Sequence, residues 1–149
     1  MERISIPRRG WVLVADGGKA LILQNEGDAE LVNLKLVEVF GQHVAAAHDL
    51  GTDGPGRIHQ SQGESRSSVE IVDLHQAAEI MFLKRIAREL TELLQERQAR
   101  SLVVVAPPRA LGILRAEFPP SLHSIVKQEL AKDLVDLPIP QIERHLAGG

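Results

Sequence analysis

Five consecutive apolar residues, Leu102 to Ala106, run into two prolines, and this junction limits the possible folds more than any other stretch. The run is rich in β-branched Val and carries no polar residue at alternate positions. It predicts a strand buried on both faces, in a sheet covered from either side. Pro107 and Pro108 stop the strand, and proline is favoured in the first turn of a helix, where its missing N–H would have no partner anyway. A tight turn and a helix from about Pro108 to Phe118 are therefore expected, ended by Pro119 and Pro120. Open α/β sheets take ligands at such strand-to-helix junctions. The helix start presents free backbone N–H groups and a partial positive charge, and Arg109 stands beside them with a planar fork suited to phosphate or carboxylate.

The rest of the chain supplies partners for that strand. Trp11–Ala15 and Ala20–Gln24 are apolar runs separated by Asp16-Gly17-Gly18-Lys19, which predicts a β-hairpin whose glycines supply positive φ. Asn25 to Asp28 is a second turn. Leu31 to Phe40 reads as a strand in which Val32, Leu34, Leu36, Glu38 and Phe40 share one face. Gly41 to Val72 is rich in Gly and Ser, with a short helical turn expected at Gln42–Asp49 and a mobile loop at Gly51–Ser68. Asp73 to Arg100 is the clearest helix: Asp73 is a candidate N-cap, and Gln76 completes a capping-box pattern. Its apolar stripe is read as Leu74, Ala78, Met81, Phe82, Ile86, Leu90, Leu93 and Leu94. Within Ser124–Leu134, where strand and helix patterns compete, Ile125–Leu130 is read as a strand, and Pro138–Leu146 as a terminal helix. The order βββαβαβα matches a ribonuclease H-like α/β fold, a mixed sheet with helices packed on it, in one domain over residues 1–149.

Composition removes several kinds of chemistry. The chain has 149 residues and no Cys, which excludes disulfides, thiolate metal sites and a thiol nucleophile. A net charge of −3 argues against a broadly basic surface, though not against a local patch. No apolar signal core opens the chain, and Asp16 and Lys19 interrupt the run from Trp11 to Leu23, so a cytoplasmic protein without a membrane span is expected. There is no Gly-x-Ser-x-Gly elbow, Walker loop or Gly-x-Gly-x-x-Gly. His43 and His48 are five apart and fall about 140° apart on a helix, and His59 and His75 lie in or just after a loop with no ligand spacing, so no metal or cofactor is expected. A two-metal nuclease needs converging carboxylates, for which Asp16 with Glu79 or Glu89 are the candidates. The Gly17-Gly18-Lys19 turn is a candidate anion cradle, weighed against a plain hairpin turn. Gly112, inside a helix, allows close packing or close approach of a ligand.

Three stretches carry a family resemblance: Trp-Val-Leu-Val-Ala-Asp-Gly-Gly-Lys-Ala at residues 11–20, Leu-Val-Val-Val-Ala-Pro-Pro-Arg-Ala-Leu-Gly-Ile-Leu-Arg at residues 102–115, and Lys132-Asp133-Leu134. Together they resemble the bacterial host attachment protein family, which is similar in turn to bacterial relatives of archaeo-eukaryotic peptide-chain release factors. The resemblance implies a ribonuclease H-like fold and association with the ribosome. Peptide release in those factors depends on a Gly-Gly-Gln loop. This chain has Gly17-Gly18-Lys19 and Gln62-Gly63 but no Gly-Gly-Gln, which argues against hydrolysis of peptidyl-tRNA. The expected role is a non-enzymatic binding module that contacts RNA or the ribosome. An anionic or phosphate-bearing ligand is expected at Asp16, Gly17, Gly18, Lys19, Arg109 and Gly112. The alternatives are a hydrolase or nuclease using the Asp16 and Arg109 region, and a structural or oligomerisation module.

Overall fold

The computed structural model describes residues 3–41 and 68–148. Its elements are β1 (Trp11–Ala15), β2 (Lys19–Asn25), β3 (Leu34–Gly41), α1 (Ser68–Glu96), β4 (Leu102–Ala106), α2 (Pro108–Glu117), α3 (Pro120–His123), β5 (Val126–Ala131) and α4 (Ile139–Leu146). The helical turn expected at Gln42–Asp49 and nearly all of the loop expected at Gly51–Ser68 lie outside the described residues; Ser68 already belongs to α1.

The five strands form one mixed sheet in the order β3-β2-β1-β4-β5. β1–β2 and β2–β3 pair antiparallel, and β4 lies parallel to both β1 and β5. The continuous apolar run of β4 has the physical cause expected of it, because both of its faces are covered. Leu102, Val104 and Ala106 join Trp11, Leu13, Ala15 and Ile22 beneath α1 and α2. Val103 and Val105 join Val12, Val14, Leu21 and Leu23 on the other face, against Ile4, Ile6, Leu134, Val135 and the α4 residues Ile142 and Leu146. A Glu143 carboxylate oxygen accepts the Leu34 N–H at 2.7 Å, and the Ile4 N–H donates to the Leu146 carbonyl at 2.8 Å, fastening α4 over that second face.

The structure corrects several local expectations. α1 begins at Ser68, so Asp73 lies inside the helix and is not its N-cap. Its buried stripe is rotated from the one read in the sequence. Phe82, Leu83, Ile86, Ala87, Leu90 and Leu94 are buried, whereas Leu74 and Met81 are 70% and 71% exposed. At about 100° per residue, Met81 stands roughly 140° round the helix from Ile86, on the far side from the sheet. β3 starts at Leu34, leaving Leu31 exposed, and its alternation breaks where Ile22 pairs with Glu38 but Leu23 pairs with Leu36. The extra residue, Val37, is a β-bulge that switches the inward face. Leu34 therefore packs on the α4 side, and Val37 and Phe40 on the α1 side. One short helix, α3, follows the Pro119-Pro120 pair that was expected only to end α2.

Both turns flanking β2 are held by side chains. Asp16 Oδ1 accepts the N–H groups of Gly18 and Lys19, each at 2.8 Å. Neither Gly17 nor Gly18 has positive φ, so the expected glycine conformation is replaced by this Asx turn. In the β2–β3 turn Asp28 Oδ1 accepts from Leu31 and Glu30, which holds its carboxyl below the usual carboxylate range.

Candidate functional site

Because β1 and β4 are parallel neighbours, the segments leaving their C-terminal ends emerge side by side. From β1 comes the turn Asp16-Gly17-Gly18, and from β4 the Pro107-Pro108 turn and the start of α2. The N-terminal half of α1 passes over both. These three pieces enclose a cleft of about 460 Å³ lined by Asp16–Gly18, His75, Glu79, Leu83, Pro107, Arg109 and Ala110.

The start of α2 is short of hydrogen-bond partners. Pro107 and Pro108 have no N–H, no side chain among the described residues caps the helix, and the first bond is Leu111 N–H to the Pro107 carbonyl at 2.8 Å. That leaves the N–H groups of Arg109 and Ala110 without a backbone acceptor among the described residues, at the positive end of the helix. The Arg109 guanidinium lies 3.7 Å from Glu79 Oε1, with both side chains about half exposed (52% and 46%). An ion pair this wet and this long is weak, and either charge can be drawn off by a ligand. Gly17 has a steric role here. A Cβ at Gly17 would come within 2.7 Å of Glu79 Cγ, so its bare backbone is what allows Glu79 to lie across the turn.

Four of the six residues expected at the site, Asp16, Gly17, Gly18 and Arg109, line this cleft. Lys19 does not. Its strand neighbour Ala20 packs under α1, and alternation along β2 sends Lys19 to the opposite face. There its Nζ lies 3.8 Å from Asp136 Oδ1. Gly112 does not line the cleft either. It is exposed, and a Cβ there would meet no described atom within 4 Å, so close packing does not explain it. The structure adds His75, which lies in α1 as the expected helix from Asp73 already implied. His75, Glu79 and Leu83 follow one another at four-residue intervals, the same helix face that packs on the sheet further along. That spacing was present in the sequence as a signal. Among the described residues, no group of three His, Cys, Asp or Glu side chains is placed to hold a metal ion. Among them, too, no helix is long and apolar enough to cross a membrane.

Residues 11–146 match the family described as a protein required for attachment to host cells. The chain belongs to this family. An uncharacterised protein of Rickettsia prowazekii (strain Madrid E) is 30% identical over 83 residues, 54% of this chain and 52% of its own length. Among solved structures, the ethanolamine utilization protein EutJ from Carboxydothermus hydrogenoformans aligns with 86% of this chain and 46% of its own, at 17% identity and a TM-score of 0.39. This family member thus spans about half the length of both proteins.

Proposed function

We propose that this family member is a non-enzymatic binding module that associates with RNA or the ribosome and receives a phosphate-bearing group in the cleft between β1, β4 and α1. The observation that carries the reading is one convergence. Arg109 and Ala110, whose N–H groups open the helix, line the same cleft, and the only ion pair on Arg109 among the described residues is the loose one with Glu79. We read the fold as ribonuclease H-like, which the strand order β3-β2-β1-β4-β5 with β2 antiparallel to both neighbours supports. The resemblance of the motifs at residues 11–20 and 102–115 to relatives of release factors supplies the partner class.

The hydrolase or nuclease reading gains something from the geometry, since Asp16 and Glu79 share the cleft. Yet Asp16 Oδ1 is committed to two backbone N–H groups, and among the described residues no third carboxylate or histidine joins Asp16 and Glu79 in the metal-holding group that a two-metal nuclease needs. We rank it second. The test is sedimentation of the protein with polysomes, with an RNase-treated control, alongside titration of RNA and of inorganic phosphate against wild type and Arg109→Glu. The expected result is ribosome-dependent sedimentation and weaker binding by the variant. Its melting curve should move by no more than about 0.5 kcal/mol allows, since Arg109 is exposed. Equal affinities remove Arg109 from the site. Metal-dependent cleavage of RNA that disappears in Asp16→Asn would favour the enzyme.

A further inference from the structure

At the end of the sheet opposite the cleft, where β1 and β4 begin, four exposed arginines gather: Arg8, Arg9, Arg97 and Arg100. The topology brings them together. Trp11 pairs with Leu102, and its N–H donates to the Ser101 carbonyl at 2.9 Å. Arg9 and Arg100 each precede that pair by two residues, so they flank the starts of strands about 4.8 Å apart. Arg97, just past the end of α1, lays its guanidinium over the Trp11 ring, 5.9 Å from the centroid. Arg8 and Arg9 line a polar recess with Gln24, Asn25 and Glu26. Among the described residues none of the four arginines is ion-paired. Glu26 is the one acid lining that recess, and the nearby Asp28 carboxylate is held by two backbone N–H groups and also feels the charge of Arg8.

Backbone strain marks the same place. Among the described residues the non-glycine positions with left-handed backbone are Gln98 (φ 55°), whose conformation belongs to the C-terminal cap of α1, and Arg9 (φ 67°), which lies in this cluster. The Gly10 N–H closes a turn on the Pro7 carbonyl at 2.9 Å, which puts Arg9 at the third turn position, where positive φ calls for glycine. The turn gains nothing from an arginine side chain. Among the described residues the Arg9 side chain makes no hydrogen bond or ion pair, so a strained position that carries an unused guanidinium points to a partner for it.

We propose that this arginine cluster is a contact surface for the phosphate backbone of RNA, separate from the cleft and using none of its residues. Guanidinium forks suit phosphate, and the four stand on neighbouring strand starts and one helix end, at one end of the sheet. The large apolar side chain at the centre, Trp11, is 1% exposed and offers neither a stacking platform nor a protein hot spot. Binding is therefore expected to be electrostatic, tolerant of sequence and steeply dependent on salt.

The experiment measures fluorescence anisotropy of a labelled oligouridylate across a salt series, using the full chain as wild type, as Arg9→Gly with Arg100→Gln, and as Arg109→Glu. Losing two phosphate contacts should flatten the logarithmic salt slope by about 1.4, roughly 0.7 for each. With affinities converging near 1 M salt, that corresponds to about tenfold weaker binding at roughly 0.15 M. Arg9→Gly alone should raise the thermal midpoint while weakening binding, a combination that a structural arginine would not produce. An unchanged slope in the double variant overturns the proposal, even if Arg109→Glu weakens binding and upholds the cleft. Failure of wild type to bind oligouridylate at low salt overturns it too. Equal binding of polyglutamate with the same slope would reassign the surface to an acidic protein, and a lower midpoint in Arg9→Gly would remove the strain argument.

Discussion

Replacing Asn25 should damage this fold more than its size suggests. The residue is fully buried at the end of β2, and its side chain ties together three separate segments. Nδ2 donates toward the carbonyls of Ile6 at 3.0 Å, Asp28 at 3.1 Å and Pro7 at 3.3 Å. Oδ1 accepts from the N–H groups of Gly27 and Asn33, both at 2.9 Å. Two amide protons and two accepted bonds, at about 1 kcal/mol net each, put the cost of Asn25→Ala near 4 kcal/mol, toward the top of the range for point substitutions. For a chain of this size that is a fall of roughly 10 °C in Tm. Asn25→Asp sharpens the test. It keeps the acceptor side but replaces the NH2 donor with a carboxyl oxygen that faces three carbonyl oxygens in a dry site. Burial and those acceptors favour the protonated acid, so its folded pKa is raised above the unfolded value of about 3.9. A raised acid is least harmful below its unfolded pKa and grows more destabilising as pH rises through the folded one. Urea unfolding followed at several pH values should therefore show Asn25→Asp closest to wild type near about pH 3 and furthest from it near neutrality. A loss under about 1 kcal/mol for Asn25→Ala, or a pH trend of the opposite sign, would refute this account of the turn.

Three further outcomes are expected. Glu79→Gln should release Arg109 from its ion pair and raise the affinity for inorganic phosphate measured by calorimetry, whereas reduced affinity would mean that Glu79 orients the arginine rather than competing for it. On α1, Leu90→Ala should cost about 2–5 kcal/mol in chemical denaturation while Met81→Ala stays within about 0.5 kcal/mol; similar costs would contradict the rotated stripe. Gln98 closes α1 in a Schellman motif, with Ala99 N–H to the Leu94 carbonyl at 2.9 Å and Gln98 N–H to the Gln95 carbonyl at 3.1 Å. Because the left-handed position disfavours side chains by roughly 1–2 kcal/mol, Gln98→Gly should stabilise the protein by about 1 kcal/mol, and an unchanged or lower Tm counts against it.

Short-range physics was legible in the chain by itself. Leu102 to Ala106 had to be a strand covered on both faces, because five apolar residues in a row leave no face for water. The double proline had to stop that strand and begin a helix, because its ring geometry and missing N–H suit nothing else there. The turns after Ala15 and after Gln24 were readable from local composition, though not the Asx bonds of Asp16 or the reach of Asn25 to Ile6 and Asn33. Tertiary structure decided everything that depends on which distant segment lies alongside. The parallel pairing of β1 with β4 brings Asp16 and Arg109 into one cleft at one end of the sheet and Arg9 beside Arg100 at the other. The bulge at Val37 reverses the inward face of β3, which a count of alternating residues cannot foresee. The sheet's reach under α1 decides that Ile86 and Leu90 are core, that Met81 is surface, and that His75 and Glu79, on the same face but past the packed turns, border a cleft. Periodicity tells which side chains share a face of their own element. Only the packing of the elements tells what that face meets, because burial comes from neighbours far away in the chain.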